Sequence, residues 1–254
     1  MFDLSNKTAA ITGGASGIGL AIAQLFARQG ATVHILELNE AAARLAAEAL
    51  VEAGGKALAH TCNVAVQAEV DAVFARIGPL DILVNNAGVA HVGTVETTAE
   101  ADFDRLFSVN VKGVYNCLRA AVPLMKQRGG GSILNMASIA ALVGLPDRFA
   151  YSATKGAVLA MTIATARDYV RDNIRVNSIS PARVHTPFVD GFLAKNYPGR
   201  EAEMFEKLSQ TQPIGRMATP DEIAHLALYL CSDEAAFVTG TDYPIDGGFV
   251  KLNN

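Results

Sequence analysis

Short, almost wholly apolar runs alternate with longer helix-like segments along the whole chain, and few folds satisfy that pattern. "TAAIT" leads into "IGLAIAQLFARQG", "ATVHILEL" into "NEAAARLAAEALVEAGG", and "KALAHTCNV" into "QAEVDAVFARIG". "LDILVNNAG" precedes a long segment around "FDRLFSVNVKGVYNCLRAAVPLMKQ", "GSILNMAS" precedes a helix bearing Tyr151, and "IRVNSISP" follows that helix. Runs without polar alternation suit strands of a parallel sheet covered on both faces. Their regular alternation with helices predicts an α/β fold with a doubly wound parallel sheet flanked by helices.

The punctuation agrees. Gly30 is placed to close the first helix, Asn39 to cap the second, and Gly54 and Gly55 to end it. No Pro- or Ser-rich linker divides the chain, so residues 1–254 are expected to form one domain. Residues 186–216 break the strand–helix rhythm, which predicts a helical lid insertion over a site.

Composition excludes several classes of function. A hydrophobic fraction of 50% with 18% charged residues describes a buried core, not a disordered chain. The formal net charge is −4 and no basic run interleaves with aromatics, so nucleic-acid binding is not expected. No apolar run reaches the length of a membrane span, and the first residues lack a secretory pattern. Cys62, Cys117 and Cys231 are scattered, and the five histidines form no i,i+3 or i,i+4 pair. A disulfide framework and a metal site are therefore not expected, and a reducing cytoplasm is.

Gly13, Gly17 and Gly19 follow the first strand and open the first helix. Glycines there let the backbone turn tightly and approach a pyrophosphate, which the helix N-terminus then stabilises. This predicts a Rossmann-like, dinucleotide-binding arrangement, although a plain strand–turn–helix corner uses the same residues. Glu37 closes the second strand about twenty residues after that turn, the spacing of an acid that binds ribose hydroxyls. A carboxylate repels a 2′-phosphate, and no Arg or Lys stands nearby to offset it, so the expected cofactor is NAD and not NADP.

Tyr151 and Lys155 lie four residues apart on a helical segment, and hence on one face. A lysine beside a phenol makes the phenol a usable acid or base near neutral pH. An amphipathic helix with a core tyrosine and a snorkelling lysine has the same spacing, so the pair alone leaves both readings open.

Six ordered motifs resolve the ambiguity, because together they resemble the short-chain dehydrogenase/reductase family over essentially the whole chain. "TGGASGIG" at 12–19 is similar to the family's cofactor loop and "NNAG" at 85–88 to its motif after the fourth strand. Asn110 in "SVNVKG" matches the catalytic asparagine, Ser138 precedes Tyr151 by the usual thirteen positions, and "YSATK" supplies the Tyr–Lys pair. "PARVHT" at 181–186 resembles the segment on the nicotinamide side, and "YPIDGG" at 243–248 the closing strand. The resemblance implies catalysis by Asn110, Ser138, Tyr151 and Lys155, and a homotetramer built on helices around 101–128 and 149–173. It implies cofactor contacts from Gly13, Ser16, Gly17, Ile18 and Gly19, then Glu37 with Leu38, and Asn63 with Val64. Asn86, Ala87 and Gly88 would follow, with Tyr151, Lys155, Pro181, Val184 and Thr186 on the nicotinamide side.

Two positions depart from the pattern. Asn63 stands where the family commonly has an aspartate contacting the adenine amino group, and Ala182 replaces the glycine after Pro181. An amide oxygen still accepts that bond, so the expected loss is about 0.5–1.5 kcal/mol at most. The expected chemistry is hydride transfer at a secondary alcohol or ketone. In it Tyr151 exchanges the proton and Ser138 binds the reacting oxygen. The resemblance implies that Asn110 holds a water in a relay to Lys155, while a mid-helix asparagine can also serve structure alone.

For the substrate, Arg148 lies three residues before Tyr151, and Arg183 sits in the loop after the sixth strand, with His91 and His185 as further candidates nearby. His91, Ser138, Arg148, Tyr151 and Arg183 are the candidate substrate contacts. Arginines there suit a carboxylate, while surface or intersubunit ion pairs are the competing use. "AHVGTV" and "DRFAYSATK" resemble segments of 3-hydroxybutyrate and sugar-acid dehydrogenases, so a small hydroxy acid or sugar-derived acid is the leading expectation. A 3-oxoacyl-carrier-protein reductase, a neutral sugar or polyol dehydrogenase and a non-catalytic cofactor sensor remain alternatives.

Overall fold

The computed structural model of the protein describes residues 1–252, so the last two residues of the expected 1–254 span lie outside the described ones. Its elements run β1 (Thr8–Thr12), α1 (Gly17–Arg28), β2 (Thr32–Glu37), α2 (Glu40–Glu52), β3 (Lys56–Thr61), α3 (Gln67–Ile77) and β4 (Ile82–Asn85). They continue with α4 (Glu100–Leu106), α5 (Gly113–Arg128), β5 (Gly131–Met136), α6 (Phe149–Tyr169) and β6 (Ile174–Pro181). Two lid helices, α7 (Pro187–Asn196) and α8 (Glu201–Ser209), precede α9 (Pro220–Cys231), β7 (Asp242–Ile245) and the short α10 (Phe249–Leu252).

The seven strands form one parallel sheet in the order β3-β2-β1-β4-β5-β6-β7. The strand period of two sends neighbouring residues to opposite faces, so each apolar run feeds two cores. Ile11, Ile35 and Val84 pack with Ile22 and Phe26 of α1 and with Ile223 of α9. Ala10, Leu36 and Leu83 pack on the other face with Phe74 of α3, Met125 of α5 and Val158 of α6. The doubly wound, single-domain α/β reading therefore holds. β3 is the exception among the apolar runs: it is an edge strand with one open side, and Leu58 is 46% exposed.

Local signals act where the sequence places them. Asn39 Oδ1 accepts the Ala42 N–H at 3.0 Å, and Gly30 and Gly54 take φ values of 92° and 87° just past the ends of α1 and α2. The lid insertion is real and helical. Its base is tied by a parallel bridge between Val184 and Ala218, with Ala218 N–H donating to Arg183 O at 3.0 Å and His185 N–H to Ala218 O at 2.9 Å.

The sheet reverses its order between β1 and β4, and strands there diverge into opposite crossovers, leaving a crevice at their C-terminal ends. The glycine turn after β1 fills one wall of it. Gly13 and Gly17 have φ of +63° and +52°, and a Cβ on Gly19 would lie 2.2 Å from Gly13 O. Backbone cannot give way to such a group without moving the turn. We expect Gly19→Ala to lower stability by about 1–3 kcal/mol. Gly156→Ala, inside α6 with nothing within 4 Å of its new methyl, should be neutral or stabilising. Urea unfolding midpoints of the two variants test this contrast.

Candidate active site

A cleft of about 1180 Å³ opens at the C-terminal ends of the strands, walled by the glycine turn, the β4 and β5 ends, the start of α6 and the lid helices. Ser16 is the N-cap of α1 but makes no side-chain cap bond, and Gly17 and Ile18 line the cleft beside it, whereas Gly19 is buried and does not line it. Thr186 faces this turn: its Cγ2 lies 3.3 Å from where a Gly17 Cβ would stand. A glycine-rich turn at a helix N-terminus suits a pyrophosphate, and Glu37 and Leu38 line the same cleft.

The "NNAG" residues shape this wall from behind. Asn86 Nδ2 donates to both Thr12 O and Gly13 O at 3.0 Å, while Thr12 Oγ1 accepts the N–H groups of Asn86 and Ala87 at 3.0 Å. The Asn86 amide thus spends its protons on the glycine turn, and its surface toward a ligand is the backbone. Glu37 ends β2 with Oε1 accepting its own neighbour's Leu38 N–H at 2.8 Å. Asn63 Oδ1 accepts Ala65 N–H at 3.1 Å in a local turn, so an adenine amino group would share that oxygen. Val64 is buried beside it and anchors Asn116 Nδ2 through its carbonyl. Pro181, Val184 and Thr186 line the cleft. Ala182 is not among the described residues with positive φ, so its Cβ introduces no backbone strain.

The four catalytic candidates come together from three elements. Ser138 follows β5, is 9% exposed, and caps the 3₁₀ turn Ile139–Ala141 by accepting Ala140 N–H at 3.2 Å. Tyr151 and Lys155 stand one turn apart on α6, with Lys155 Nζ 5.7 Å from the phenol ring centre. Lys155 is 6% exposed, and its ammonium donates to Met136 O at 2.7 Å. Burial pushes its pKa down from 10.5 to about 8.

The phenol corrects one expectation. Burial raises the Tyr151 pKa, opposed by a hydrogen bond with Ser138 and by the positive charge of Arg148. The Lys155 ammonium, 5.7 Å from the ring centre and turned to the Met136 carbonyl, does not overcome that burial. Ser138 and Arg148 both favour phenolate.

Asn110 is not in a plain helix. Residues Phe107–Lys112 form a π-helical turn between α4 and α5, and Gly113 N–H bonds back to Ser108 O. Where five-residue spacing reverts to four, the carbonyls of 109–111 face only the amides of 114 and 115, so one carbonyl lacks an intrahelical partner. Asn110 is 1% exposed; its Oδ1 accepts Val89 N–H at 2.8 Å, and Nδ2 donates to Val89 O at 2.9 Å and Thr154 Oγ1 at 3.1 Å.

Arg148 and Arg183 both line the cleft, and among the described residues neither is in an ion pair. Arg148 Nη1 reaches only the carbonyls of His91 and Asp147, at 3.4 Å each. Arg183 Nε donates to Thr211 Oγ1 at 3.1 Å, and burial with the charge of Arg148 lowers its pKa. His91 lines the cleft, but its ring is packed on Gly93 with Nε2 buried and unpartnered, and Nδ1 lies 3.7 Å from Asp102 Oδ1. Its polar contact toward the arginine is the carbonyl. His185 turns away to Asp190 (2.9 Å) and the Phe205 ring at the lid base. Residues missed from sequence are Thr12 and Thr154, both inside recognised motifs, and Leu208, Gln212 and Met217, which line the cleft.

Comparison with known proteins agrees with this geometry. Residues 13–250 match the family model described as Enoyl-(Acyl carrier protein) reductase. The chain is 38% identical to 2-(S)-hydroxypropyl-CoM dehydrogenase 3 of Xanthobacter autotrophicus, covering 98% of each. It is 41% identical to D-threitol dehydrogenase of Mycolicibacterium smegmatis, over 98% of this chain and 94% of that one. The solved structure of L-sorbose reductase from Gluconobacter frateurii, complexed with NADPH and L-sorbose, is similar with a TM-score of 0.94 at 35% identity, covering 98% of each chain. Sheet order, clustered Ser–Tyr–Lys chemistry and end-to-end similarity converge: the chain belongs to the short-chain dehydrogenase/reductase family, oxidoreductases acting on alcohols with a nicotinamide cofactor.

Proposed function

We propose that this protein is an NAD-dependent dehydrogenase interconverting a secondary alcohol and a ketone on a small hydroxy acid or sugar-derived acid. The observation that carries the substrate is the pair of arginines, Arg148 and Arg183, sharing the cleft with Tyr151 and lacking a carboxylate partner among the described residues. Burial and the neighbouring charge of Arg148 both lower the Arg183 pKa, and two guanidinium groups sharing one cleft favour an incoming anion. Support for NAD is Glu37 in the cleft lining, a carboxylate that accepts ribose hydroxyls and repels a phosphate. A neutral polyol is the second reading, favoured by the names of the threitol and sorbose relatives.

When bound, the cofactor supplies the hydride acceptor or donor at C4 of its nicotinamide. The glycine turn and the α1 N-terminus would hold its pyrophosphate, Glu37 a ribose, and Lys155 with Thr186 the nicotinamide side. Ser138 Oγ donates a hydrogen bond to the substrate oxygen and orients the carbon. Tyr151 Oη takes the hydroxyl proton during oxidation and returns it during reduction. A cation near the ring offsets the burial that otherwise keeps the phenol protonated; Arg148 is one such charge. Leu208 of α8 and Met217, just past the insertion, give the cleft apolar lining. In the same reading the protein works in a reducing cytoplasm as a homotetramer. Its three thiols are free and buried, and Tyr115, Phe149, Ile163 and Val170 expose apolar side chains on α5, on α6 and just beyond it.

Absorbance of reduced nicotinamide, followed with NAD and NADP across hydroxy acids, sugar acids, polyols and simple alcohols, tests the reading; preference for NADP would overturn the Glu37 argument. Arg148→Ala should raise KM for acids roughly ten- to a hundred-fold while neutral alcohols change little. Equal effects on both would remove the anionic substrate. Lys155 carries a stability prediction as well. Its folded pKa, about 8, lies below 10.5, so between those values the unfolded chain binds more protons and stability rises with pH. Lys155→Met should lose turnover yet unfold at no lower denaturant concentration than the parent at pH 7, because an unfavourably buried charge is gone.

A further inference from the structure

Thr154 is fully buried one residue before Lys155, and its hydroxyl has both roles taken. It donates to Tyr151 O at 2.8 Å, which leaves a lone pair to accept the Asn110 amide at 3.1 Å. That amide cannot turn over, since its NH₂ would then face the Val89 N–H that Oδ1 now accepts. Thr154 thereby ties the Tyr–Lys helix to Asn110 of the π-helical turn, whose amide in turn holds Val89 in the loop after β4. A Cβ built on Gly88 would stand 3.4 Å from Asn110 Oδ1 and 3.7 Å from Lys155 Nζ, so the junction lies against the ammonium.

We infer that Thr154 is a positioning residue for the proton-transfer chemistry: its hydroxyl holds Asn110, and with it the π-helical turn, in register with Lys155. This rests on the proposed dehydrogenase function, in which Asn110 serves a proton relay to Lys155. Valine has nearly the shape of threonine but neither donates nor accepts, so it leaves a buried Asn110 N–H and the Tyr151 carbonyl without this partner. Serine keeps both bonds and drops only the methyl.

Hydrogen exchange on the cofactor-free protein reads the hold directly. Thr154→Val should speed exchange over residues 107–113 and at 88–89, and Thr154→Ser should match the parent. In turnover assays Thr154→Val should lower kcat about ten-fold with the cofactor KM unchanged, as one unsatisfied buried donor predicts. The acid limb of its kcat profile should move to higher pH, because a displaced π-helical turn supports the ammonium, and hence phenolate, less well. Serine should restore kcat and the profile. Parent-like exchange and kcat in the valine variant overturn the inference, and so does serine being as impaired as valine, which would assign the effect to methyl packing. If valine does not fold, Thr154→Ala takes its place, and parent-like behaviour of alanine overturns the inference equally. A parent inactive on every substrate defeats the dehydrogenase reading instead, and the exchange comparison still decides whether the hydroxyl holds Asn110.

Discussion

An ammonium buried almost out of water organises this site. Lys155 is held by one 2.7 Å bond to a backbone carbonyl, and burial alone brings its pKa down to about 8. A folded core gains nothing from such a group, since apolar replacements of buried charges are often neutral or stabilising. Its surroundings are polar without being anionic: Ser138, Asn110 and Thr154 offer hydroxyls and an amide, and the Tyr151 phenol completes the group. Had a carboxylate sat here, the lysine would be neutralised as an ion pair and the phenol pushed further toward its protonated form. The neutral polar shell keeps the positive charge available to ligands.

The same economy runs beneath the site, where the sheet ends are fastened by amides instead of packed side chains. Asn85 Nδ2 bonds Asn135 Oδ1 across β4 and β5 at 2.9 Å, and Asn135 Nδ2 reaches Thr162 of α6 at 2.9 Å. Thr12 and Asn86 lock β1 to β4 in the same way. Hydrogen bonds have direction, which apolar contacts lack, so these links hold the strand ends and α6 in one relative position. Precise placement of reacting groups depends on that support.

Much of this was legible along the chain. The strand runs, the caps at Asn39 and Gly30 and the helical insertion between 186 and 216 follow from local patterns with a physical basis, and Ser138, Tyr151 and Lys155 were marked by the family resemblance. β3 read as another apolar strand because hydropathy does not report whether a strand has one neighbour or two. His185 read as a pocket candidate from its neighbours in sequence, but the start of α7 swings it to Asp190. Nothing in "SVNVKG" announces the π-helical turn that carries Asn110.

Periodicity and motif spacing were enough to specify a parallel, doubly covered sheet and a glycine turn at a helix start, because each depends on neighbours a few residues away; the reacting groups were pointed to by the family resemblance. Which charge acts on which depended on the folded arrangement. Arg148 and Arg183, 35 positions apart in the chain, share one cleft and lack a counter-ion among the described residues. Burial, in turn, reversed the expected shift of the Tyr151 phenol. Coulomb energies and desolvation vary with distance and exposure in space, and neither quantity is written in the order of residues.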